Sequence, residues 1–267
     1  MNHQQWQEVM KRDFFITDED QEAVIYSRPL SELLITENMQ ELIDFYSPNF
    51  KALHPAATAA ALARWFASLP LAVQYTSSIM SETVDLSPQN VTVCLYSVQG
   101  TYRFSFKLDR WATFPFHHDQ PREEWLYQRL AAFYRETMQP LFETLAESVQ
   151  MNAGQLWGQL PRKFDIYLDQ WKHRAGDELH EQIDQDYGFL AEKIEPGVFG
   201  RKRNPFRVKR RFIKSLDDKN IQVPVECTCC LNYLREGGEF CFTCPRLTEK
   251  DREEMRKKQE EEIKANG

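Results

Sequence analysis

Five of the chain's six cysteines lie between residues 227 and 244, in the order Cys227-Thr228-Cys229-Cys230, ten residues, Cys241-Phe242-Thr243-Cys244-Pro245. Thiols gathered in one loop constrain a fold strongly, because soft ligands so placed meet at a metal, an iron–sulfur cluster or a disulfide. Cys241 and Cys244, separated by two residues, can turn both sulfurs toward one metal. Gly237 and Gly238 let the intervening loop fold back and bring the Cys229–Cys230 pair to the same place. Pro245 removes one backbone donor and stops the turn from running straight into the next helix.

Three chemistries compete for these thiols. A disulfide framework is the weakest, since a bond between adjacent cysteines is strained and the chain reads as cytoplasmic, where thiols stay reduced. Structural zinc commonly uses a Cys-x-x-Cys half-site but more often has two of them. Adjacent cysteines diverge in extended backbone, which a two-iron cluster accommodates more easily than a single tetrahedral ion. Spacing alone leaves zinc and iron–sulfur both open. Cys94 falls on a predicted strand and reads as a packed free thiol.

Composition excludes several classes. Hydrophobic residues make up 42% of the 267, aromatics 13% and charged residues 27%, an ordinary globular balance. No uninterrupted apolar run reaches the roughly 18 residues of a membrane span, and the opening Met1-Asn2-His3-Gln4-Gln5-Trp6 lacks the layout of a secretory signal. A cytoplasmic protein with no transmembrane segment is expected. The net charge of −7 hides an asymmetry: residues 201–214 carry eight basic side chains and no acid, leaving about −15 on the rest. So acidic a body disfavours a nucleic-acid partner, while one local anion-facing patch is compatible with it.

The pattern predicts an α+β fold, a mostly helical body with an antiparallel sheet and a C-terminal cysteine module. A soft boundary near residue 200 separates a body of 1–200, expected to bind substrate, from a module of 201–267. Helices are predicted around Glu37–Tyr46, over Ala56–Leu69 after Pro55, and over Glu123–Glu147, where Pro140 bends the chain. Another runs through Leu156, Trp157, Leu160, Phe164 and Trp171, kinked or split at Pro161, with Asp184–Leu190 extending the helical region. Alternation at Val91, Val93 and Leu95, then at Tyr102, Phe104, Phe106 and Leu108, flanks a Gln99-Gly100 turn and predicts a hairpin. Arg207–Ile213 and Ile221–Val225 read as short strands around the Asp217–Asn220 turn, and Pro224 places the second at an edge. Thr248–Ala265 reads as an exposed helix opened by a Thr248/Asp251 capping box, with Glu253–Lys257 and Glu254–Lys258 pairs.

The segment from Cys229 to Leu247 resembles the C-terminal signature of the FhuF-type ferric siderophore reductases: Cys-Cys, ten residues, Cys, two residues, Cys, then Pro. The spacing, the glycine pair and the Thr-Cys-Pro ending all match, and Leu156-Trp157-Gly158 resembles a Leu-Trp-Gly segment upstream in such proteins. The ferric citrate/schizokinen reductase branch is one candidate within the family. The resemblance implies that Cys229, Cys230, Cys241 and Cys244 ligate a [2Fe–2S] cluster, without saying which pair binds which iron. Cys227 departs from the signature as a fifth thiol, a spare ligand or simply a small residue. The implied activity is one-electron reduction of Fe(III) in a citrate- or hydroxamate-type siderophore.

Nothing else in the chain competes as a centre of chemistry. His117, His118 and Asp119 precede Pro121 and a helix start and read as a solvated loop. There is no glycine-rich phosphate loop, so electrons are expected from a separate donor such as a ferredoxin. Arg201, Lys202, Arg203, Arg207, Lys209 and Arg210 are candidates for meeting an anionic ferric chelate or an acidic donor. Their plain reading is a charged edge strand protected from aggregation. Two alternatives from other classes are a zinc-stabilised interaction protein and an iron–sulfur carrier with a different acceptor.

Overall fold

A computed structural model describes residues 3–218 and 220–266. Lys219, within the predicted Asp217–Asn220 turn, and Met1 and Asn2 of the opening stretch lie outside the described residues. The body runs α1 (His3–Phe14), β1 (Ile16–Thr17), β2 (Val24–Pro29), α2 (Thr36–Phe50), α3 (Pro55–Phe66), α4 (Ser68–Met80) and β3 (Glu82–Val84). It continues with β4 (Val91–Val98), β5 (Thr101–Leu108), β6 (Thr113–Pro115), α5 (Arg122–Phe133), α6 (Gln139–Ser148), α7 (Ala153–Trp157), α8 (Leu160–Arg174) and α9 (His180–Glu192). A short hairpin of β7 (Phe212–Lys214) and β8 (Gln222–Pro224), the cysteine loop and α10 (Glu249–Asn266) complete the chain.

The predicted hairpin forms in full register, from Val91 opposite Leu108 to Val98 opposite Thr101. Gln99 and Gly100 both take positive φ, 50° and 77°, the two-residue turn whose twist suits antiparallel strands. Val91, Val93, Leu95, Phe104, Phe106 and Leu108 are buried on one face. Cys94 is a buried free thiol on the other, 3.6 Å from the Ser27 hydroxyl. The sheet is wider than predicted and not purely antiparallel: its order is β1-β5-β4-β2, with β1 parallel to β5.

Helices cover the buried face of this sheet. Met39, Leu42, Ile43 and Tyr46 are the buried residues of α2, as their spacing predicts. Helix α3 starts with Pro55 in its first turn, and the His54 ring nitrogen caps it by accepting from the Ala56 N–H at 3.1 Å. The helical stretch continues beyond the predicted Leu69, through α4, to Met80. Residues 55–80 are apolar enough to cross a membrane, but 89% of the most apolar window is buried within the protein, where it forms the core.

Two other expectations are corrected and one, at Pro161, is resolved. The helix predicted over Glu123–Glu147 is interrupted at Tyr134–Met138 by a π-helical turn, where the Gln139 N–H reaches back to the Tyr134 carbonyl. Pro140 follows at once and has no N–H for an α-helical bond, so the wider turn takes up the mismatch. Pro161 splits its helix into α7 and α8, and α9 is a further separate helix. Of the strand predicted over Arg207–Ile213, the paired part is Phe212–Lys214, because Arg207–Arg211 follow an irregular path.

The terminal helix has its capping box: Asp251 accepts from the Thr248 N–H at 2.7 Å, and the Asp251 N–H donates to the Thr248 hydroxyl at 3.3 Å. It is not exposed throughout. Arg252 and Arg256 are each only 3% exposed, and Arg256 pairs with Glu249 and Glu253 at 3.0 Å. The predicted Glu253–Lys257 and Glu254–Lys258 pairs are not among the ion pairs of the described residues, where Glu254 meets Lys250 at 4.0 Å.

A large core runs from Trp6 through the sheet and helices to Phe199 and Phe206. Phe106 belongs to it, fully buried and beside Phe66 with ring centroids 6.3 Å apart. Phe106→Ala is expected to cost about 3–5 kcal/mol, read as a lower urea midpoint at unchanged slope.

Candidate metal centre

A second, smaller cluster of buried residues joins the tail to the body. It contains Ala56, Ala57 and Ala60 of α3 with Cys229, Leu231 and Cys244. Alanines leave the helix face low, so the cysteine loop can approach its backbone. Main-chain bonds sew the same seam: Leu53 N–H to the Leu234 carbonyl and Glu236 N–H to the Lys51 carbonyl, both 2.8 Å.

The loop is shaped by two left-handed residues. Leu231 takes φ +57° directly after the cysteine pair, an orientation in which the Leu231 N–H meets the Cys229 sulfur and the Asn232 N–H meets that of Cys230. Gly237 takes φ +65°, and a Cβ on Gly238 would lie 1.9 Å from the Asn232 carbonyl oxygen. The glycine pair is therefore needed for the fold-back that its position suggests. At the other end, the Cys244 N–H donates to the Cys241 carbonyl at 2.9 Å, turning both sulfurs inward.

The four signature cysteines come together as two pairs. Cys229 and Cys244 are buried, with sulfurs 3.6 Å apart. Cys230 and Cys241 are half-buried and face each other closely enough to interact. That interaction pushes Cys230 down to about 5, helped by the Asn232 N–H and the positive charge of Arg64, and pushes Cys241 well up. Burial raises Cys229 to about 11. Metal loading requires thiolates, so binding would expel the protons held at Cys229 and Cys241.

Two thiolates on one tetrahedral metal lie about 3.8 Å apart at metal–sulfur distances near ~2.3 Å. The Cys229–Cys244 separation matches this. Among the described residues, no three His, Cys, Asp or Glu side chains converge to hold a single ion. Two pairs of sulfurs fit a two-iron group, which takes two protein ligands at each iron, better than a single zinc ion, which needs at least three at one point.

Cys227 faces a different partner. Its sulfur accepts from Arg210 Nη1 at 2.9 Å, and Arg210 Nη2 donates to Asp165 at 2.6 Å and to the Pro161 carbonyl at 3.1 Å. Burial raises the Cys227 thiol, with Arg210 opposing. Arg210 is thereby engaged within the protein, and Lys209 points to solvent away from the cleft lining. Arg201, Lys202, Arg203 and Arg207 do line one cleft, of about 840 Å³, whose wall includes Asn152, Trp157, Gly158, Cys227 and Thr228. The basic cleft thus opens immediately beside the cysteine loop.

Several contributors carry no motif in the sequence. Arg64 Nη1 donates to the Cys230 carbonyl at 3.2 Å, and Gln155 and Gln159 both donate to the Cys229 carbonyl, at 2.5 and 3.1 Å. Arg252, reaching in from α10, donates to the carbonyls of Phe242, Cys244 and Leu247 at 3.2, 2.8 and 2.9 Å. Lys163 donates to the Arg64 carbonyl at 2.6 Å, and burial together with Arg64 lowers its ammonium to about 8. The cations among these donors would compensate the negative charge of a thiolate-held cluster.

The Leu156-Trp157-Gly158 segment also acquires a reason. A Cβ on Gly158 would lie 2.2 Å from Thr228 Cγ2 and 3.0 Å from Thr228 Cβ. Gly158→Ala is expected to push Thr228 and the adjoining Cys229 off α3 and lower bound iron and acid-labile sulfide several-fold. Adding Thr228→Gly should restore part of the loss; the check is metal and sulfide content per chain with visible absorption.

Residues 228–246 match the family model described as the FhuF 2Fe-2S C-terminal domain. Searches of curated proteins and of solved structures find no match to the chain. The similarity is confined to this cysteine segment, and the cofactor that the matched domain implies is a [2Fe–2S] cluster.

Proposed function

We propose that this protein is a cytoplasmic ferric siderophore reductase that delivers one electron to Fe(III) in an anionic citrate- or hydroxamate-type chelate. The observation that carries the reading is the basic cleft sharing Cys227 and Thr228 with the cysteine loop. Cys229, Cys230, Cys241 and Cys244 would hold the [2Fe–2S] group, which supplies single electrons at a potential near about −400 mV for four-cysteine plant-type centres.

The chain's own residues do the rest. Arg201, Lys202, Arg203 and Arg207 attract the chelate, and the planar guanidinium fork suits its carboxylate or hydroxamate oxygens. Arg201 is already oriented, with Nη2 donating to Asn152 at 3.0 Å. The acidic remainder of the protein repels anions elsewhere, so attraction is confined to this cleft. One electron converts chelated Fe(III) to Fe(II), whose lower charge weakens its hold on hard oxygen donors. Iron leaves and no siderophore bond breaks. A separate protein of low potential, such as a ferredoxin, would return the electron.

Anaerobically purified protein is expected to be red-brown, with iron and acid-labile sulfide near two each per chain. Stoichiometric zinc without sulfide would instead mean a zinc-stapled interaction protein. Dithionite-reduced protein should be reoxidised by anionic ferric siderophores. An intact cluster inert to all of them would mean a carrier with another acceptor.

Changing Arg201, Arg203 and Arg207 together to Glu should slow reduction of anionic chelates at least about tenfold at low ionic strength, with the difference shrinking as salt screens it. Unchanged stopped-flow rates at low salt would remove the cleft from the docking role.

A further inference from the structure

The two sulfur pairs differ in surroundings, and the difference has a direction. Cys244 is fully buried and Cys229 is 4% exposed, both against the alanine face of α3. Cys230 and Cys241 are partly exposed. The Arg64 guanidinium lies beside Cys230, donating to its carbonyl, and the half-buried Lys163 ammonium donates to the Arg64 carbonyl. Cys229 and Cys230 are neighbours in the chain yet belong to different pairs, because Leu231 turns left-handed after them and each sulfur finds its partner across the loop.

We propose that Cys229 and Cys244 bind one iron of the cluster, that Cys230 and Cys241 bind the other, and that the outer iron, on Cys230 and Cys241, is the one reduced. This rests on the [2Fe–2S] reading and adds the ligand pairing and the site of the electron. Reduction takes the cluster from two ferric ions to one ferric and one ferrous, gaining one negative charge. Added charge is better tolerated where water reaches and where a fixed cation stands close than in an apolar pocket. The outer pair has both advantages, whereas the inner pair has a cation beside it, Arg252 on the Cys244 carbonyl at 2.8 Å, but no access to water, so exposure decides between them. The electron given to a ferric chelate would therefore leave from the exposed side, from a ferrous ion held by Cys230 and Cys241.

The test is paramagnetic NMR of the full-length, dithionite-reduced protein labelled with carbon-13 at the cysteine β-carbons. In a valence-localised pair, β-protons on the ferric iron shift toward diamagnetic positions on warming, and those on the ferrous iron shift the opposite way. Single Cys→Ser variants assign the four signals by loss of one each. Cys230 and Cys241 are expected together in the ferrous set, and Cys229 and Cys244 in the ferric set. Any other grouping, or a ferrous set of Cys229 and Cys244, overturns the proposal.

A second variant avoids touching a ligand. Arg64→Gln should move the midpoint potential to more negative values and displace chiefly the Cys230 and Cys241 signals. An unchanged potential, or displacement confined to Cys229 and Cys244, counts against the outer iron. Neither experiment involves a siderophore, so a protein that reduces no ferric chelate would lose its proposed function while the pairing stood, and the reverse also holds.

Discussion

The contact of the cysteine loop with the alanine face of α3 is the constraint on which the site depends. Thiols cannot be buried in pairs unless the surface beneath them is flat, apolar and close, and Ala56, Ala57 and Ala60 make it so. The loop's carbonyls must then be satisfied elsewhere. They are taken by Arg64 from α3, Gln155 and Gln159 from α7 and its exit, and Arg252 from α10. Three separate parts of the chain thereby clamp one loop, and the body acts as a scaffold for the tail.

This arrangement also organises charge. Four thiolates and a two-iron cluster together are anionic, and a bare apolar pocket would resist them. Arg64, Lys163, Arg210 and Arg252 surround the loop with positive charge through bonds to carbonyls, to Cys227 and to one another's backbone. The residues left over in the basic run, Arg201, Lys202, Arg203 and Arg207, open onto the neighbouring cleft. One short basic segment therefore serves two roles, with Arg210 turned inward to brace the structure and its neighbours turned outward.

Much of the local structure was legible in the sequence because it depends on near neighbours. The hairpin at Gln99-Gly100 follows from strict alternation and a two-residue turn, and the capping box at Thr248 and Asp251 from residues three apart. The four cysteines and the glycine pair reveal the loop because their spacing is the geometry. The π-helical turn before Pro140 was less legible: proline announces that the α pattern fails, and the packing of Tyr134, Thr137 and Met138 decides how it fails. Arg252 and Arg256 resembled the surface of an exposed helix, since burial of a charged side chain depends on carbonyls and acids that only the folded chain brings within reach.

The sequence by itself set out the candidate ligands, since thiol type and loop spacing are written in order along nineteen residues that match one family model. Tertiary structure alone decided how those thiols divide into a buried and an exposed pair, which arginines face the cleft, and why Gly158 must be glycine. The physical reason is range. Spacing and turns act through bonds between neighbours, whereas burial, charge compensation and the 2.2 Å approach to Thr228 arise between segments far apart in the chain, where one-dimensional order leaves no mark.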